Sequence, residues 1–171
     1  MRQLWAGKTV NHDRFWGLKN ARIAPLPAQD IEVWIGATAP AAINRTARLA
    51  EGWLGTPSST PQQAKEQLNK YRQACAEHQR KPSAVALRRD IFIGASVREA
   101  EEFRSHAVAK GYRGFPERAL ICGDISQVAT QFAELFEAGF TDIIVRNMAS
   151  DQGQALATIE ALSDVKRQLR L

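Results

Sequence analysis

Apolar residues in this chain recur in two rhythms that alternate from about residue 31 onward. Short β-like runs at Ile31–Ile35, Trp53–Gly55, Val85–Ile93 and Thr141–Arg146 are separated by stretches with helical spacing. Ala64, Leu68, Tyr71 and Cys75 fall at intervals of four, three and four, which predicts a helix over 61–78 with one buried stripe. Thr60-Pro61-Gln62-Gln63 supplies its start: an N-cap hydroxyl, proline at the first helical position and a glutamine placed for a capping box. Ser96-Val97-Arg98-Glu99 reads as a second capping box and predicts a helix running to about Lys110 and closed by Gly111. Asp124-Ile125-Ser126-Gln127 opens a third, with Val128, Phe132, Leu135 and Phe136 on its stripe and Gly139 beyond its end. Ala155, Ile159, Leu162 and Leu169 mark a last helix. Strands that alternate with helices predict an α/β fold with a parallel, helix-covered sheet. Four such units are about half of a (β/α)8 barrel, so a small open α/β domain and half of a barrel both fit the pattern.

The ends of the pattern read differently. Trp5, Phe15, Trp16 and Pro25-Leu26-Pro27 predict an irregular arm over 1–30, ahead of β/α units over 31–171. Gly, Pro and charged residues between Gly111 and Gly123 predict a longer excursion between elements.

Ile31-Glu32-Val33-Trp34-Ile35-Gly36-Ala37-Thr38-Ala39-Pro40 is the stretch with the clearest chemistry. An apolar strand ends in small residues that open onto a helix, so backbone N–H groups from Gly36 to Ala39 can converge on one point at a positive helix end. That junction suits a phosphate. With Gly36 as its only glycine it is no dinucleotide fingerprint. Thr38 reads equally as a hydroxyl donor to the anion and as the N-cap of the following helix, 40–50.

Composition narrows the class without deciding it. The 171 residues are 44% hydrophobic and 24% charged, as in an ordinary globular domain. No run of about 18 apolar residues and no basic-then-apolar leader is present, so a cytoplasmic protein without a membrane partner is expected. The net charge of +5 invites nucleic acid, yet the 23 basic residues are dispersed and not interleaved with aromatics, so no nucleic-acid partner is expected. Cys75 and Cys122 read as small core residues, and His12, His78 and His106 are too scattered for a metal site.

In order and spacing the chain resembles the C-terminal half of the luciferase-like monooxygenase family, the flavin- and deazaflavin-dependent (β/α)8 barrels. Five segments carry the resemblance. Leu4-Trp5-Ala6-Gly7-Lys8-Thr9-Val10 resembles the approach to the family's fifth strand, and Ile31 to Thr38 that strand with its small-residue turn. Arg45-Thr46-Ala47-Arg48-Leu49-Ala50-Glu51-Gly52-Trp53 is similar to an Arg-rich helix running into Asp-Gly-Trp, with Glu51 in place of Asp. Cys122 to Ala129 resembles the family's Gly-x-Pro-x-x-Val-Ala helix start, from which Asp124 and Ile125 depart, and Ala138 to Arg146 resembles the eighth strand.

The resemblance implies half of a TIM barrel, strands five to eight, with no counterpart of the first four strands, and hence a truncated member. It implies FMN, or alternatively a deazaflavin, with the cofactor phosphate held at Gly36, Ala37, Thr38 and Ala39. Ala37 stands where the family commonly has a second glycine. Trp53 reads either as a core aromatic or as a cofactor contact, and Arg146 as an anion ligand or as the ion-pair partner of Asp142 or Asp90. Within Arg88-Arg89-Asp90, strand alternation sends at least one charge inward, and a buried pair is the expected outcome. The implied reaction is oxidation of a small organic substrate by reduced FMN and dioxygen, with the isolated chain not expected to turn over. A non-catalytic phosphate-ligand or assembly module is the alternative from another class. Unpaired strand edges predict homo-oligomers or pairing with an N-terminal half.

Overall fold

The computed structural model describes residues 1–170, which divide into two compact units, 1–32 and 33–170. The first unit contains a short helix α1 (Arg2–Trp5) and an antiparallel hairpin, β1 (Val10–His12) with β2 (Leu18–Ala21). The irregular arm expected over 1–30 is corrected by that hairpin. Its strands alternate too briefly to stand out as a period-two pattern.

The second unit is the α/β layer that the sequence rhythm predicts. Its elements are β3 (Trp34–Gly36), α2 (Pro40–Leu49), β4 (Gly52–Gly55), α3 (Pro61–Glu77), β5 (Ala84–Ile93), α4 (Val97–Ala109), β6 (Leu120–Gly123), α5 (Ile125–Ala138), β7 (Asp142–Asn147) and α6 (Gln152–Gln168). Two 3-10 turns, Tyr112–Gly114 and Glu117–Ala119, occupy the excursion before β6. Among the described residues no helix is long and apolar enough to cross a membrane.

All strand pairs in this unit are parallel, and β5 belongs to three of them, with β4, β6 and β7, while β3 pairs with β4. Ala86 is in register with both Leu54 of β4 and Asp142 of β7, and Asp90 with both Leu120 of β6 and Arg146 of β7. A strand has two edges, so β7 takes one while β4 and β6 lie end to end along the other. Pairing with β4 stops at Leu87, pairing with β6 starts at Asp90, and Arg88 and Arg89 lie between. Sequence reading gives no strand at 120–123. Four residues that follow two tight turns carry too short a pattern to register.

The two faces of β5 have different company. Val85, Leu87, Ile91 and Ile93 join Leu68, Tyr71, Val128, Phe132 and Leu135 in the larger core, between sheet and helices. Alternation puts Ala86, Arg88, Asp90 and Phe92 on the opposite face, and Phe92 joins Tyr112, Ala119, Leu120 and Cys122 in a smaller cluster. Residues in register share a face, so Trp34, Gly36, Leu54, Arg88, Ile144 and Arg146 also lie on that side. In a closed barrel it is the interior face.

Candidate functional site

Three successive residues before and within β4 hold β3 and its turn in place. The Glu51 carboxylate accepts from the Val33 N–H at 2.8 Å. Gly52 leaves room for the Trp34 ring, whose atoms stand 2.8–3.0 Å from where a Cβ would be. Trp53, with no exposed surface, donates its indole N–H to the Ala37 carbonyl at 2.8 Å and stacks on Tyr71 and Phe140. Thus Glu-Gly-Trp fixes the strand start, its packing and its turn in one stroke. Trp53 acts from beneath the turn and lines no open surface, which makes it a positioning residue.

The turn itself faces outward. Gly36, Thr38 and Ala39 are exposed and Ala37 is buried. The N-cap of α2 is Ala39, not Thr38, and Pro40 follows at the first helical position. Alanine has no acceptor, so no side chain caps the helix start. The Thr38 hydroxyl is thereby released from the capping role and lines a groove of ≈450 Å3 with Thr56, Ser58, Ser59, Gln67 and Lys70. Gln67 Oε1 is buried with no hydrogen-bond partner among the described residues. The loop after β4 was missed by sequence reading, although Thr56-Pro57-Ser58-Ser59, a hydroxyl cluster directly after a strand, is the signal that finds it.

A second cluster surrounds Asp90. This carboxylate has no exposed surface and meets Arg88 at 3.1 Å, Arg113 at 3.3 Å and Arg146 at 3.6 Å. Arg113 is brought there by a left-handed backbone pair, Tyr112 at φ 32° and Arg113 at φ 56°, and its guanidinium also lies over Phe115. Burial pushes the neighbouring Tyr112 hydroxyl up to about 12, with the Asp90 charge adding to the shift, so it is a neutral phenol at physiological pH. Three cations on one anion leave a net charge of +2, and the outer edges of Arg113 and Arg146 remain about half exposed. Arg146 therefore pairs with Asp90, as one of its two readings anticipated, and keeps a face for an anion.

The structure does not bring all the expected site residues together. Gly36 is in register, through Leu54 and Ala86, with Asp142. Arg146 lies four residues farther along β7, about 13 Å in the strand direction and three strand spacings, about 14 Å, to the side. Turn and arginine cluster are two points on one face.

A family model described as luciferase-like monooxygenase matches residues 1–120. The chain belongs to the luciferase-like monooxygenase family. Solved family-type folds agree. The monooxygenase RslO1 from Streptomyces bottropensis superposes over 99% of this chain and 58% of its own, with a TM-score of 0.80 at 17% identity. An F420-dependent secondary alcohol dehydrogenase in complex with an F420-acetone adduct covers 99% of this chain and 59% of its own, with a TM-score of 0.73 at 15% identity. The FMN-bound oxygenating constituent of 3,6-diketocamphane monooxygenase from Pseudomonas putida covers 94% and 58%, with a TM-score of 0.68 at 15% identity. At these identities the likeness is one of fold, that of the luciferase-like TIM barrels. A curated relative, the F420-dependent glucose-6-phosphate dehydrogenase of Microbacterium testaceum (strain StLB037), is 36% identical over 67 residues, 39% of this chain and 20% of the relative. The chain thus spans about three fifths of the length of these solved structures.

Proposed function

We propose that the second unit supplies the cofactor-phosphate side of a flavin-dependent monooxygenase site that oxidises a small organic substrate with reduced FMN and dioxygen. The observation that carries the reading is the Gly36–Ala39 turn: small, outward-facing, uncapped by any side chain and locked from below by Trp53. Its residues fit a phosphate. Backbone N–H groups of the turn and the dipole of the ten-residue α2 favour an anion, the Thr38 hydroxyl adds a donor, and a Cβ at Gly36 would meet only the Leu54 carbonyl at 3.8 Å. Bound flavin supplies the electron transfer to dioxygen that no side chain here performs. The protein's part is to bind, orient and shield. Gly36 to Ala39 hold the phosphate end, Trp53 fixes the turn, and Arg146 with Arg88 and Arg113 offers positive charge to an anionic part of substrate or cofactor.

A deazaflavin-dependent oxidoreductase is the second reading, favoured by the F420-dependent curated relative. Both readings need the same turn. Equilibrium titration of FMN against riboflavin isolates the phosphate: FMN is expected to bind at least tenfold more tightly. Ala37→Glu, which sets a carboxylate among the donors, removes that advantage. Thr38→Ala costs only about 0.5–1.5 kcal/mol because the backbone donors stay. Equal affinity for FMN and riboflavin overturns the assignment, and a parallel titration with F420 separates the two cofactors.

A further inference from the structure

Where β4 ends and β6 has not yet begun, the odd-numbered face of β5 sends Arg89 outward into the helix layer, away from Arg88 and Asp90. Arg89 is 1% exposed. One of its terminal nitrogens, Nη1, reaches the Pro57 carbonyl at 3.4 Å, while Nη2 is buried with no hydrogen-bond partner among the described residues. Arg89 lines a cleft of ≈580 Å3 walled by the start of α3, the end of α5 and β6. Ile121, Leu135 and Ala138 make the cleft partly apolar. Lys65, Arg104 and Arg118 contribute further positive charge, and Glu134 and Glu137 the negative. Arg104 is occupied with the Cys122 carbonyl and Glu101.

A buried guanidinium with an unmet donor costs free energy that a bound anion recovers. We propose that this cleft is a second ligand site, for a small organic monocarboxylate whose carboxylate pairs with Arg89 and whose apolar body lies against Ile121, Leu135 and Ala138. The volume is that of a small-molecule pocket. A planar carboxylate matches a guanidinium edge. A monoanion is favoured over a dianion because one buried cation faces it in depth and two glutamates share the cleft. The site lies on the helix side of the sheet, opposite the face that carries the Gly36–Ala39 turn and the Asp90 cluster. Burial also pulls the Arg89 pKa down to about 10, as a cation short of a counter-charge requires.

The test is titration of the purified chain with benzoate, followed by chemical shifts of the Leu and Ile methyl groups, with benzyl alcohol as the neutral isostere. Saturable benzoate binding, at least tenfold tighter than benzyl alcohol, is expected at Ile121 and Leu135. Arg89→Met should abolish that preference. Two substitutions of exposed residues, Arg118→Glu and Glu134→Gln, keep the test open if Arg89→Met fails to fold; the first should weaken benzoate and the second tighten it, each about two- to fivefold. Ala37→Glu, on the other face, should leave benzoate binding unchanged whatever it does to FMN, so failure here and failure of the phosphate assignment are distinguishable. Equal binding of benzoate and benzyl alcohol overturns the proposal. So do unchanged affinity in Arg118→Glu and Glu134→Gln, and benzoate binding lost in Ala37→Glu.

Discussion

At the scale of single residues, the site depends on a few buried polar groups whose partners are specific. Trp53→Phe keeps the ring that stacks on Tyr71 but removes the indole N–H, leaving the Ala37 carbonyl without its donor. A loss of about 1 kcal/mol in denaturant midpoint stability is expected. The advantage of FMN over riboflavin should shrink with it, because the turn loses its support. Asp90→Ala removes the anion that three guanidinium groups share. Breaking a buried ion pair costs about 3–5 kcal/mol; here the loss should fall near the lower end, since Arg113 and Arg146 can turn to water. Urea unfolding measures it, and a change below about 1 kcal/mol would show that the cluster is not a stabilising one.

Sequence reading reaches some of this and not the rest. A charged triplet inside an apolar strand announces buried charge, and period two separates Arg89 from Arg88 and Asp90. It cannot announce Arg113, which arrives from an excursion 23 residues later through a left-handed turn. The role of Trp53 is likewise invisible in sequence, because the same burial that makes it a core aromatic also aims its one polar atom at a particular carbonyl. Two lone cysteines do read correctly as core: both are buried, and burial pushes the Cys122 thiol up to about 11.

At the scale of elements, the helix starts are the most legible part. Thr60 with Gln63 forms the reciprocal capping box that its spacing predicts, and Asp124 with Gln127 forms another; Ser96 accepts from the Glu99 N–H, but Glu99 takes the Ala95 N–H instead of the Ser96 N–H, so the box expected there is half made. Caps are local chemistry, complete within four residues. Asp124→Ala should therefore lower stability by about 1 kcal/mol in thermal unfolding while leaving the sheet intact. The element that escapes the sequence, β6, is specified by where β5 runs and not by its own residues: Leu120 to Gly123 become a strand because Asp90 to Ile93 extend past the end of β4. α2 fails in an instructive way. Thr38 is a good cap residue one position too early, so the helix starts bare at Ala39.

At the scale of the whole molecule, among the described residues β3 pairs only with β4 and β7 only with β5, while Trp34 and Ile144 on the interior-type face are 37% and 40% exposed. Edges with open backbone groups beside apolar side chains recruit partners. We propose that the chain self-associates, so the mass from light scattering should rise across the micromolar range, more steeply as salt screens the net charge of +5. A monomer at all concentrations would show that these edges are protected.

The shared role of β5 has a dynamic consequence. Its ladder with β7 covers Ala86 to Ile91, whereas β4 and β6 each hold a separate end of the other edge and make no ladder with one another. Either can open without disturbing the other. Amide hydrogen exchange should resolve two independent local openings, one releasing β4 with β3 and the other β6, superimposed on a slow kernel of β5 and β7 that exchanges only on global unfolding. The turn after β3 travels with the first of these openings and the cleft beside β6 with the second, so ligands at the two points should slow exchange in different segments of the chain.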